Sequence, residues 1–161
     1  MQVIGIVAEY NPFHTGHAYQ IACTRQVQGE DCAVVAVMSG NWVQGGRPAV
    51  LDKWTRARLA LLGGVDLVLE LPTIWAVSSA ETFAQGAVDL LAHTQVVDEL
   101  SFGSECGDIE KLCQVACCLN TTGYETLVHR FAQQQIPFAA ARQRAITELL
   151  GQEYASLLDT P

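Results

Sequence analysis

An alternation of apolar runs with helix-compatible segments constrains this chain more than any other feature. The first run, Val3-Ile4-Gly5-Ile6-Val7-Ala8, leads into Tyr10-Asn11-Pro12-Phe13-His14-Thr15-Gly16-His17 and then into Ala18-Tyr19-Gln20-Ile21-Ala22-Cys23. Strands buried on both faces read as unbroken apolar runs, and parallel neighbours need a crossover, usually a helix. The pattern predicts strands over about 3–9, 32–38, 65–71 and 99–102. It predicts helices over about 17–28, from Asp52 to the Gly63-Gly64 break, from a Ser78/Glu81 capping box to about His93, and then over about 108–119, 124–135 and 139–150. The expected fold class is α/β: a Rossmann-like parallel sheet with flanking helices and right-handed crossovers, followed by a helical C-terminal segment. Residues 1–161 are expected to form one domain, with the helical extension starting at about 108.

The break after the first run carries chemistry. Strand, tight turn, helix is the layout in which unpaired amides and the positive end of a helix dipole face an anion. His14 and His17, in H-x-G-H spacing, put two imidazoles at that helix start. Gly16 allows close backbone approach to a phosphate, and Pro12, with its fixed φ, suits the turn. The competing reading is a pair of histidines that merely cap the helix. Placement after a buried strand and before a helix favours phosphate binding.

Composition narrows the setting. At 161 residues, half of them hydrophobic and 16% charged, the chain can bury a real core and is not disordered. No apolar run approaches the ~20 residues of a membrane span. The first residues read as a strand and not a signal peptide, so a cytoplasmic protein without a membrane partner is expected. The six cysteines show no zinc-knuckle spacing, so no metal site is expected and they are read as buried small hydrophobes. A net charge of −8 argues against nucleic-acid binding over the whole surface. Yet Arg47, Lys53, Arg56 and Arg58 gather four of nine basic residues into one short stretch. That suits a defined polyanion, a triphosphate or an RNA backbone, with an ordinary solvated helix face as the alternative. Lys53 and Arg56 share a helix face, while Trp54 is expected to pack inside. Residues 39–49 read as one long loop at a strand's carboxyl end, where open α/β sheets bind ligands. Gly103, in a second such loop, is a candidate nucleotide contact or a simple turn glycine.

Six segments, in order, resemble the tRNA(Met) cytidine acetate ligase family of H-x-G-H nucleotidyltransferases. They are Ala8-Glu9-Tyr10-Asn11-Pro12-Phe13-His14-Thr15-Gly16-His17, Val37-Met38-Ser39-Gly40-Asn41, Asp52-Lys53-Trp54, Asp66-Leu67-Val68-Leu69-Glu70-Leu71-Pro72, Ser79-Ala80-Glu81 and Phe102-Gly103-Ser104-Glu105. The resemblance covers nearly the whole chain and the N-terminal part of a family member. It implies that the family's C-terminal tRNA-binding region lies outside these residues. The chain departs from the family at Gln44-Gly45-Gly46-Arg47-Pro48, where the usual arginine is displaced.

The resemblance implies the following chemistry. ATP activates acetate to acetyl-adenylate, and the acetyl group passes to N4 of the wobble cytidine of elongator tRNA(Met). The implied catalytic residues are His14, His17 and Lys53. The implied ATP-binding residues are Val7, Ala8, Glu9, Tyr10, Asn11, Pro12, Phe13, His14, Thr15, Gly16, His17, Ala18, Tyr19, Gln20 and Gly103. Arg47 and Arg56 are candidate phosphate or tRNA contacts. Mg²⁺ is expected to be held mainly by the phosphates, since that ion keeps few protein ligands. Placement makes Ser39-Gly40-Asn41 a candidate border of the acetate pocket. Two alternatives stay open: another nucleotidyltransferase that makes a dinucleotide-type cofactor, and a truncated nucleotide-binding module without turnover.

Overall fold

A computed structural model describes residues 1–158; the last three positions of the expected 1–161 span lie outside the described residues. The chain divides into two compact units, Met1–Gly103 and Ser104–Pro161.

In the first unit the strands are β1 (Val3–Ala8), β2 (Ala33–Ser39), β3 (Trp42–Val43), β4 (Arg47–Pro48), β5 (Leu67–Leu71) and β6 (Glu99–Leu100). Its helices are α1 (Thr15–Gln28), α2 (Lys53–Leu62), α3 (Thr73–Ala76) and α4 (Ala80–His93). Four strands form a parallel sheet in the order β5-β2-β1-β6, with Ala8 opposite Met38, Ser39 opposite Leu71 and Gly5 opposite Leu100.

The apolar runs are unbroken because both faces are covered. Ile4, Ile6, Val34, Ala36 and Met38 pack with Ile21 of α1 and Ala60 of α2. The alternate residues Val35, Val37 and Leu71 pack with Ala76 of α3 and Phe83, Ala87 and Leu91 of α4. Each fully buried Ile or Leu of this kind contributes roughly 1.5–3 kcal/mol relative to exposure. The amino edge of the sheet is tied by Arg25, which donates to the Cys32 and Gly64 carbonyls and reaches Asp66 Oδ2 at 2.8 Å. Asp66 Oδ2 also accepts from Val34 N at 2.7 Å.

Three boundaries differ from the sequence reading. Residues 39–49 are not one loop: β3 and β4 pair antiparallel into a short ribbon, Trp42 opposite Pro48 and Val43 opposite Arg47. Helix α4 is capped by Ser79, whose hydroxyl accepts from Thr82 N, whereas Ser78 donates back to the Ile74 carbonyl. Helix α1 starts at Thr15 because His14 itself is the cap.

The second unit holds α5 (Ile109–Leu119), α6 (Thr122–Ala132), α7 (Phe138–Leu150) and the short α8 (Gln152–Ala155). Its core includes Val115, Cys118, Tyr124, Leu127, Ala145 and Ile146. Reading the cysteines as buried hydrophobes holds for Cys32 and Cys118 but fails for Cys106, Cys113 and Cys117, which are exposed. Cys113 and Cys117 fall on the water-facing side of amphipathic α5, and Cys106 lies in the non-helical segment before it. Among the described residues no helix is long and apolar enough to cross a membrane.

Candidate functional site

The strand order fixes where a ligand fits. β2 lies on one side of β1, reached through α1 on one face of the sheet, and β6 lies on the other, reached through α4 on the opposite face. Open α/β sheets bind ligands in the crevice at such a switch point. Residues 9–14 and 101–103 flank it. Gln20 Nε2 and Thr24 Oγ1, both from α1, hold Ser101 at 3.0 and 2.7 Å.

His14 and His17 form the start of α1. His14 Nδ1 accepts from Gly16 N at 3.1 Å, and His17 Nδ1 accepts from His14 N at 3.2 Å, a reciprocal capping box made of two imidazoles. The rings stack with centroids 3.6 Å apart. Since both Nδ1 atoms accept, the hydrogen-bond pattern assigns the neutral tautomer with the proton on Nε2 in each ring. Neither Nε2 has a partner among the described residues, so two N–H donors are free at the helix start. No carboxylate occupies the first turn of α1 to compete for them. Gly16 suits the cap, because a Cβ there would stand a tight 3.0 Å from His14 Cε1 and press on that ring.

Behind the pair lies an aromatic tier. His17 meets the Tyr10 ring edge-on at 4.8 Å and Phe13 at 5.5 Å. Burial, and then the neighbouring His14, push the His17 pKa below its ordinary value, so this ring favours its neutral form. Tyr10 is 1% exposed, has φ 46° and leaves its buried hydroxyl without a partner. Burial raises its pKa to about 12. Of the expected ATP stretch, His14, Thr15, Gly16 and Tyr19 are exposed, whereas the Tyr10 side chain belongs to the core.

The basic residues separate. Arg56 was expected as a phosphate or tRNA contact; instead it is fully buried, and all five of its N–H groups are engaged. They go to the Leu51 carbonyl (3.2 Å), the Glu9 carbonyl (2.5 Å), the Ser39 hydroxyl (3.5 Å), the Ser39 carbonyl (2.9 Å) and the Gly40 carbonyl. These groups close the ends of β1 and β2, so Arg56 clasps the carboxyl edge and has no donor left for an anion. Burial lowers its pKa, while Glu9, Asp52 and Glu70 pull it back up.

Lys53 pairs with Glu70 Oε2 at 2.6 Å and its amide donates to Asn41 Oδ1 at 3.0 Å. Gly40 lies against Glu70, where any Cβ would collide with that carboxylate. Arg47 sits on the ribbon, exposed. Gly103 has open space where a Cβ would be. Trp54, expected to pack, is 75% exposed instead. Glu9 and Asn11, expected as ATP contacts, have side chains that frame the site: Glu9 Oε1 takes Gln44 N and Asn11 Oδ1 takes Val50 N, each at 2.7 Å; Glu70 was the framing residue given no role. A lone carboxylate at the end of an apolar strand, as in Leu69-Glu70-Leu71, was the available signal for Glu70.

The HIGH Nucleotidyl Transferase family model matches residues 1–161. The tRNA(Met) cytidine acetate ligase of Clostridium tetani is 47% identical over 93% of this chain and 38% of that protein. The protein of the same name from Caldanaerobacter subterraneus subsp. tengcongensis is 46% identical over 97% of this chain and 39% of its own length. The crystal structure of Thermotoga maritima TmcAL bound with alpha-thio ATP superposes with a TM-score of 0.91 at 41% identity, covering 99% of this chain and 40% of that one. The chain therefore spans about two-fifths of the length of the curated relatives it matches.

Proposed function

The chain belongs to the HIGH nucleotidyl transferase family, and from that premise we propose that it binds ATP at the start of α1 and activates acetate to acetyl-adenylate for tRNA modification. In the reaction an acetate oxygen attacks the α-phosphorus in line, the bond from that phosphorus to the bridging oxygen breaks, and pyrophosphate leaves. The acetyl carbon of the mixed anhydride is then attacked by N4 of the wobble cytidine of elongator tRNA(Met). AMP departs and the amine loses a proton.

The observation that carries this reading is the pair of unpartnered Nε2–H donors on His14 and His17 at the helix start. Such fixed donors stabilise charge that grows on phosphate oxygens without reorganising. On this reading His14 faces the α-phosphate region and His17 the β- and γ-phosphates. Lys53 neutralises the departing pyrophosphate on leaving Glu70, and Arg47 is a candidate outer contact. The first turn of α1 and the open backbone at Gly103 line the nucleotide. Glu9, Asp52 and Glu70 are each already engaged by an amide or by Lys53. That donor set suits Mg²⁺ carried on the phosphates. The names of the relatives, and the ATP analogue in the Thermotoga maritima structure, support the choice of substrates.

Incubation with ATP and labelled acetate tests it. Acetyl-AMP and pyrophosphate formed together are the expected products. ATP binding without acetyl-AMP at any acetate concentration makes the chain a nucleotide-holding module. Pyrophosphate exchange that depends on a phosphomonoester instead of acetate replaces the reaction with cofactor synthesis.

A further inference from the structure

Two of the three tryptophans face water: Trp54 is 75% exposed and Trp42 is 48% exposed. They are neighbours through the residues before them, since Lys53 N donates to Asn41 Oδ1 at 3.0 Å. The same stretch is bonded to the nucleotide loop by Gln44 N to Glu9 Oε1 and Val50 N to Asn11 Oδ1. Both indoles thus lie at the carboxyl edge of the sheet, where the histidine pair is. Lys53 Nζ lies 5.3 Å from the centroid of the Trp54 ring, so a cation already sits against that indole.

The charges around them are selective. Within Met1–Gly103, Arg25 pairs with Asp66, Lys53 pairs with Glu70, and Arg56 is buried. Among the described residues of this unit, Arg47 and Arg58 are the basic side chains left without an acidic partner. Arg58 lies one helical turn beyond Trp54 on the same face of α2. Arg47 lies in β4, which pairs with the strand of Trp42. Exposed indoles beside unpaired guanidinium groups match a strand that offers bases to stack and phosphates to pair.

We infer that Trp42 and Trp54 are a stacking platform for unpaired bases of an RNA loop whose backbone passes Arg47 and Arg58. The inference rests on the tRNA-modifying reading above and assigns it a surface. Acylating an exocyclic amine requires the target base to leave its stack, which costs a few kcal/mol and leaves its neighbours without a stacking face. Two indoles beside the nucleotide loop supply replacement faces.

The test is titration of the full chain with a short RNA hairpin whose single-stranded loop carries a central cytidine, and with a fully paired RNA duplex. Tryptophan fluorescence is the readout for wild type, and hairpin anisotropy for the variants. The hairpin is expected to quench fluorescence and the duplex is not. Trp54→Ala and Trp42→Ala should each weaken hairpin binding by about tenfold or more, with Trp54→Phe restoring most of it. Arg47→Ala and Arg58→Ala should each flatten the salt dependence by roughly 0.7 in log–log slope. Wild-type affinity in both alanine variants, equal binding of duplex and hairpin, or a wild-type dimer that Trp54→Ala dissolves would each overturn the platform. Acetyl-AMP formation by wild type is measured alongside. Its presence without tryptophan-dependent RNA binding removes the platform alone, and its absence with that binding removes the proposed reaction alone.

Discussion

Arg56→Met gives the most direct test of how this site is built. The substitution keeps a long apolar stem and deletes a guanidinium that serves four carbonyls and one hydroxyl. The Glu9 and Leu51 carbonyls are only partly buried and can rehydrate. The Ser39 and Gly40 carbonyls are bonded in the interior and cannot. A buried acceptor stripped of its donor costs about 1–3 kcal/mol. Two such losses, offset in part because no charge is buried any longer, give a net destabilisation of about 3 kcal/mol.

All three tryptophans, Trp42, Trp54 and Trp75, belong to Met1–Gly103, so urea unfolding followed by tryptophan fluorescence reads this unit alone. The midpoint should fall by roughly 2 M urea at an ordinary m-value. Arg56→Lys keeps the charge but has only three donors in a different geometry, so it should fall between. An unfolding free energy for Arg56→Met within about 0.5 kcal/mol of wild type would refute the clasp. So would an unmoved midpoint with ATP binding lost, which would return Arg56 to the phosphates.

His17→Ala should abolish acetyl-AMP formation while costing only about 1 kcal/mol of stability, the worth of one cap; a variant with unchanged turnover would remove the histidine from the chemistry. The same ring sets a pH dependence. Its folded pKa lies below the ordinary 6.5, so above that pH both states are neutral and no penalty exists. As pH falls through 6.5 the unfolded chain binds the proton first, and stability drops until the folded pKa is passed. Urea midpoints from neutral pH to about pH 5 should therefore decline in wild type and decline less in His17→Ala; parallel profiles would refute the assignment. At the opposite edge of the sheet, Arg25→Ala should lower the unfolding free energy by about 2 kcal/mol without touching nucleotide affinity, because its bonds go to carbonyls and Asp66 far from the site. A matching loss of ATP binding would argue otherwise.

The frame was legible because it depends on burial, and burial writes itself into composition. Val34 to Val37 have no polar residue to turn outward, so only a strand covered on both faces accommodates them, and helices must supply the cover. The first histidine motif was legible for a related reason: its neighbours on either side announce strand and helix. What the letters did not carry was the cap. That each imidazole accepts an amide at Nδ1, leaving Nε2–H outward, follows from local angles and not from spacing. The ribbon at Trp42–Val43 and Arg47–Pro48 was also hidden, since two residues per strand leave no period to detect.

The two largest misreadings, Arg56 and Trp54, have one cause. Lys53 and Arg56 do share a helix face, but a shared face does not say which way it turns, and a charged face ordinarily turns to water. Here the opposite solution wins at Arg56 because the carboxyl ends of β1 and β2 leave carbonyls with no strand to pair with. A single guanidinium can satisfy them together; Lys and the apolar residues cannot. Once Arg56 turns in, Trp54, two positions earlier, is carried outward by the helix period. The same edge then has its carbonyls closed by Arg56 and the imidazole Nε2–H groups at α1 left open. An edge that is to hold a triphosphate must first cover its own negative dipoles, and in this chain an arginine the motif does not contain performs that task.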